Sequence, residues 1–213
     1  MKQKLAKALL LIFSGILLTG CGVLEKYTES EVVLDGKYKM ENVDNVTFSF
    51  RDKKNLIVRQ SGIYEFTKNA EGESVIRICL DDTSRELPED YSYTEYLLKK
   101  DGLYTKLIYT SEEFDLEESP MLLVPLKGTD GLVSGDYFTG TYQIGAEGDG
   151  YQYKFQKDGT IIMQIEQNYY ADKKKITLSD YAGSTEYLYE KTEENLILQN
   201  QDGESIMVLI PQK

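Results

Sequence analysis

The chain contains no histidine and no tryptophan. Losing histidine removes the commonest general base and metal ligand, so no Ser-His-Asp or Cys-His arrangement can exist. There are two cysteines, Cys21 and Cys79, and four prolines in 213 residues. No glycine-rich phosphate loop is present. The Asp-Gly pairs that begin at 35, 101, 130, 149, 158 and 202 lack the alternating-Asp spacing of a calcium loop and read as turns. Positive charge is also short, with 24 Lys and Arg against 36 Asp and Glu and a net charge of −12. Such a surface repels phosphate, which argues against nucleic acid and against electrostatic binding to a membrane.

One long apolar stretch is present, Ala8 to Leu18, interrupted by Ser14 and Gly15. Lys2, Lys4 and Lys7 precede it, and no acid occurs before Glu25. The stretch suits a signal-peptide core and is short for a bilayer span. Leu18-Thr19-Gly20-Cys21 follows. This order of basic, apolar, Leu, small, small and Cys resembles the lipobox of bacterial lipoproteins. The resemblance implies cleavage between Gly20 and Cys21 and attachment of a diacylglycerol and a fatty acid to Cys21, with no other cofactor. It also implies a place on the extracytoplasmic face of the cell membrane. Two acyl chains bury many methylenes, at about 0.8 kcal/mol each, which holds a soluble domain on a membrane. The plainer alternative is an ordinary secretory signal with a coincidental cysteine. Removing residues 1–20 takes three lysines and no acid, so the net charge falls from −12 to −15. Cys79 is then the one thiol left, and a disulfide within the fold is excluded.

The remainder has β composition, with 17 tyrosines, many Val, Ile, Thr and Phe, and Gly as punctuation. Val46, Phe48 and Phe50 alternate with polar residues and predict a buried strand face; Ile76 and Ile78 do the same. Asn55 to Arg59 and Ile63 to Phe66 read as two further strands. After Gly128-Thr129-Asp130-Gly131 the pattern restarts. Gly140-Thr141-Tyr142 matches Gly36-Lys37-Tyr38. Tyr153 and Phe155 match Phe48 and Phe50, and Ile176 and Leu178 match Ile76 and Ile78. Thr185-Glu186-Tyr187-Leu188 repeats Thr94-Glu95-Tyr96-Leu97, and residues 204–213 share six of ten positions with residues 118–127. The expectation is an all-β protein: signal peptide 1–20, lipidated tether 21–33, repeat 34–127, linker 128–137, repeat 138–213. Each repeat is expected to be a small antiparallel meander closing its own barrel or sandwich, because an open sheet would leave adhesive edges. The run Gly-x-Tyr, aromatic-x-Phe, Lys157-Asp158-Gly159-Thr160 and a Tyr-rich strand looks like the lipocalin-like repeats of Gram-positive lipoproteins. The first repeat departs from it at Asp52-Lys53-Lys54-Asn55.

The candidates for chemistry are few. Acidic pairs at Asp81-Asp82, Glu112-Glu113, Glu117-Glu118 and Glu193-Glu194 could serve a carboxylate-only hydrolase, but they sit in expected surface loops. Cys79 aligns with Ser179, which reads as a tolerated small residue. The tyrosines are the least ordinary feature. Tyr151, Tyr153, Tyr169, Tyr170, Tyr187 and Tyr189 form a candidate binding surface, since a ring with a hydroxyl suits a sugar or a peptide. The plainer reading makes them half-buried strand residues with wet hydroxyls. The expected function is a non-enzymatic envelope module binding a protein or glycan; the alternatives are a carboxylate hydrolase and a lipocalin-type carrier of a small ligand.

Overall fold

The structure is a computed structural model that describes residues 29–80, 93–102, 104–109, 120–126, 133–134, 137–145, 150–180 and 183–212. Gly20 and Cys21 lie outside them, as do seven of the ten residues of the expected linker. Sixteen strands and no helix occur among the described residues. In the first repeat they are β1 (Gly36–Met40), β2 (Val46–Arg51), β3 (Asn55–Lys68), β4 (Ser74–Cys79), β5 (Thr94–Asp101), β6 (Tyr104–Tyr109) and β7 (Met121–Pro125). A two-stranded ribbon follows, β8 (Val133–Ser134) with β9 (Tyr137–Phe138). In the second repeat they are β10 (Gly140–Ile144), β11 (Tyr151–Phe155), β12 (Thr160–Ala171), β13 (Lys175–Asp180), β14 (Gly183–Lys191), β15 (Leu196–Gln199) and β16 (Ser205–Pro211). The all-β expectation holds, and the two sets of seven strands correspond in order. The cross-strand pair Ile76↔Tyr96 has its counterpart in Ile176↔Tyr187.

Alternation predicts the core correctly. Phe48, Phe50, Ile76, Ile78, Tyr153, Phe155, Ile176 and Leu178 are all buried. Two expected strands are one. Asn55–Arg59 and Ile63–Phe66 belong to the single strand β3, whose inward residues continue through Gln60 and Gly62 to Tyr64. Gly62 lies within this strand. A Cβ there would collide with the carbonyl oxygen of Cys79, so glycine is what lets β3 lie against the end of β4.

Closure differs from expectation. The terminal strand β16 does not complete a barrel within its own repeat. It pairs antiparallel with β1, Tyr38↔Pro211 and Met40↔Leu209, while β7 pairs with β10, Tyr142↔Pro125 and Ile144↔Leu123. The fourteen strands form one closed ring of pairings, and β3 and β12 pair with each other in addition. That cross-pairing divides the ring into two eight-stranded sets that share β3 and β12. They coincide with the two compact units, residues 1–59 with 165–213 (unit 1) and residues 60–164 (unit 2). Each unit therefore takes its opening strands from one repeat and its closing strands from the other. The physical reason is that a meander of this kind has two free edges, and either repeat offers equivalent partners for them.

In unit 1 the chain becomes fixed earlier than a tether over 21–33 implies. The Ser30 N–H donates to Lys53 O at 3.0 Å, and the Val32 N–H donates to Ala171 O at 3.0 Å. Ser30 Oγ donates to Tyr169 O and accepts from the Ala171 N–H, at 3.3 and 3.1 Å. The β2–β3 turn beside it holds Asp52 and Lys53 at φ of 54° and 62°. The turn before β12 instead uses Gly159 at φ 81°, with the Thr160 N–H donating to Asp158 Oδ1. The first-repeat turn thus carries left-handed strain on two residues with side chains.

Two outcomes follow. Gly62→Ala should lower unfolding stability by about 1–3 kcal/mol through overpacking, read as a lower denaturant midpoint. A protease site placed between Lys127 and Val133, once cut, should leave the two fragments co-eluting on size exclusion until denaturant is added. Fragments that separate in native buffer would mean that the repeats fold independently.

Candidate functional site

The six candidate tyrosines divide between the two units. Tyr151 and Tyr153 belong to unit 2, and Tyr169, Tyr170, Tyr187 and Tyr189 to unit 1. Tyr153 and Tyr169 are buried, so they are corrected from binding residues to packing residues. Tyr153 packs edge-on against Phe155 at 5.9 Å, and burial pushes its phenol well above the ordinary range. Tyr169 meets the Phe50 ring edge-on at 5.1 Å and accepts the Leu34 N–H on its hydroxyl at 3.3 Å.

The other four are half-buried. Tyr187 pairs with Ile176, so it shares the inner face of its sheet, as does Tyr189 two residues on. The Tyr189 hydroxyl is committed to Asp172 O at 2.6 Å. Tyr170 follows buried Tyr169 and therefore points outward. It pairs with Thr177, which pairs in turn with Glu186, and Glu186 accepts a charge-assisted bond from Lys175 Nζ at 2.7 Å. Tyr170, Thr177, Glu186 and Lys175 thus make a mixed aromatic and polar patch on the outer face of unit 1.

What the buried tyrosines do instead is join the repeats. In unit 2, Tyr64 from the first repeat sits edge-on to Phe155 at 5.2 Å. Its hydroxyl lies 2.6 Å from both Phe138 O and Gln156 O, one proton between two carbonyls. In unit 1, Tyr169 from the second repeat takes the corresponding place against Phe50 and Leu34. Each receiving corner is built alike. Gly36 and Gly140 have φ of 122° and 126°, and the tyrosine two residues on returns its hydroxyl to the carbonyl three residues back: Tyr38 to Asp35 O, Tyr142 to Thr139 O. The Gly-x-Tyr strings of the sequence are these corners.

Sequence reasoning missed one buried polar pair. Gln167 Nε2 donates to Asp180 Oδ2 at 3.3 Å inside unit 1. Both are at most 8% exposed. The signal was available, because Gln167 continues the inward run Ile161, Met163, Ile165, and Asp180 continues Ile176, Leu178. Of the acidic pairs, Asp81-Asp82, Glu112-Glu113 and Glu117-Glu118 lie outside the described residues. Glu193-Glu194 is an exposed turn held by Thr192 Oγ. Cys79 is buried. No group of three or more metal-ligating side chains occurs among the described residues.

Comparison with known proteins returns no matching family model, no matching curated protein and no matching solved structure.

Burial raises Tyr64 and Tyr142 to about 12 each, the largest cause being desolvation of the phenolate. The unfolded phenols ionise near 10, so the folded state binds more protons than the unfolded state between pH 10 and 12. The stabilisation is fully present below pH 10 and is lost as pH rises toward 12, by about 2 kcal/mol per tyrosine. Denaturant midpoints measured from pH 8 to 12 should stay level and then fall. Tyr142→Phe should flatten the fall.

Proposed function

We propose that the protein is a membrane-anchored extracytoplasmic lipoprotein that acts as a non-enzymatic binding or interaction module. The observation that carries the reading is the string Leu18-Thr19-Gly20-Cys21 directly after a basic, apolar leader. The acyl chains on Cys21 would confine the fold to a surface and concentrate it against partners that share that surface. The lipocalin-like resemblance of the repeats is compatible with this place in the envelope. Inner faces filled with bulky side chains such as Phe48, Phe50, Tyr142 and Phe155 support an outer-face binder over a carrier. The outer patch at Tyr170 and Thr177 is the part of the candidate surface offered to a protein or glycan partner.

Cys21→Ser should abolish incorporation of a labelled fatty acid and move the protein out of the membrane fraction. Label retained by the Ser variant overturns the anchor. A photo-crosslinking phenylalanine at position 170 should trap an envelope protein or glycan in intact cells, while the same group at buried position 169 should not. Equal trapping, or none at 170, overturns the binding surface.

A further inference from the structure

We propose that the outward face of β14, β15 and β16 in unit 1 docks a protein segment that carries apolar and basic side chains together. Buried Leu196, Leu198, Met207 and Leu209 point into unit 1, so their chain neighbours Ile197, Val208 and Ile210 point out. Ile197 and Val208 are cross-strand partners, and Leu188 faces outward on β14, opposite Gln199. These four outward residues are half-buried. Ile206 sits where the β15–β16 register shifts and is 42% exposed. A row of outward aliphatic side chains across neighbouring strands, rimmed by polar ones, is what an interaction surface presents.

The surrounding charge selects the partner. Glu190 is the cross-strand partner of Ile197, and the Glu41 N–H donates to Val208 O at 2.8 Å, so an acidic residue flanks the row on either side. The turns at its ends add Glu193 and Glu194 after β14, and Asp202 and Glu204 after β15. Lys39 is engaged by Asp44 at 3.2 Å, and Glu186 by Lys175 of β13 at 2.7 Å. On β14, β15, β16, β1 and their turns, six carboxylates then remain against Lys37 and Lys191 among the described residues. The adjoining β12–β13 turn adds Asp172, Lys173 and Lys174, and the balance stays acidic at seven to four. Such a rim repels an anionic lipid surface, and it repels a second copy that presents the same face.

Unit 2 provides the control. Its corresponding ladder sets Lys99 opposite Lys106 and Lys106 opposite Leu122, where unit 1 has Glu190 opposite Ile197 and Ile197 opposite Val208. The same strand pattern thus accepts lysine at both places, and the union of an apolar row with an acidic rim belongs to unit 1. None of this depends on acylation of Cys21, and the docking residues are not those of the Tyr170 patch.

The test is fluorescence anisotropy of a dye-labelled synthetic peptide of leucine and lysine, patterned as an amphipathic helix and titrated with the purified full chain. The leader is common to every variant, so differences between variants report the face. Expected is saturable binding that weakens as salt is raised. Glu190→Lys with Ile197→Lys should weaken it about ten-fold or more and leave the denaturant midpoint near its original value. The reciprocal pair, Lys99→Glu with Lys106→Ile, should add a second site of like affinity on unit 2, a gain that misfolding cannot mimic. Changing the peptide's lysines to glutamate, or its leucines to serine, should abolish binding. Absence of binding, equal affinity for the serine peptide, undiminished affinity in the first variant or no second site in the reciprocal one would overturn the proposal. So would a self-associated chain, seen by sedimentation, that Ile197→Lys turns monomeric, since the face would then belong to a second copy.

Discussion

Backbone edges that must be paired govern this structure. A seven-stranded meander ends in two rows of N–H and C=O groups that seek a partner, and no helix among the described residues covers them. Here each repeat completes the other. β1 takes β16 and β7 takes β10, so neither of these four strands presents a free edge. The additional β3–β12 pairing lets two long strands serve both compact units. Closure therefore needs both halves of the chain, since a unit has its eight strands only when both contribute.

Side chains reinforce what the ladders begin. The Gly-x-Tyr corners set a ring beside Phe50 in one unit and Phe155 in the other, with centroid separations of 5.7 and 6.0 Å. Tyr169 and Tyr64 then enter these corners from the opposite repeat. Edge-on aromatic pairs add about 0.5–1.5 kcal/mol each beyond the area they bury. The cluster in unit 2 is the larger, because Phe138 stacks on Tyr142 at 5.0 Å and meets Phe155 at 4.8 Å. Leu34 stands where Phe138 does, which leaves unit 1 with the smaller aromatic set and with Ser30 as an added tie.

The alternation of Val46, Phe48 and Phe50 made the strand faces legible in the sequence, and the shared strings at 94–97 and 185–188 the like order of the two strand sets. Closure was not legible, and the likeness of the two strand sets is why. Tyr38 and Tyr142 head equivalent strands, so sequence alone cannot tell which of them lies beside Pro211 and which beside Pro125. The gap between the expected strands at 55–59 and 63–66 closes because the near carbonyl of Cys79 requires glycine at position 62 within one unbroken strand. The candidate tyrosines failed as a group because composition counts rings without their direction. Alternation already sends Tyr169 inward and Tyr170 outward, and the fold bears that out.

The exchange of strands also sets an order of assembly for a chain that appears amino end first. Unit 2 is one contiguous stretch, residues 60–164, and all of it is present before β13 emerges. Unit 1 holds residues next to Ser30 but has to wait for β16, the last strand to appear, before its ring can close. The part of the molecule nearest its amino end is thus the last to mature. Until then β1 lacks its second neighbour.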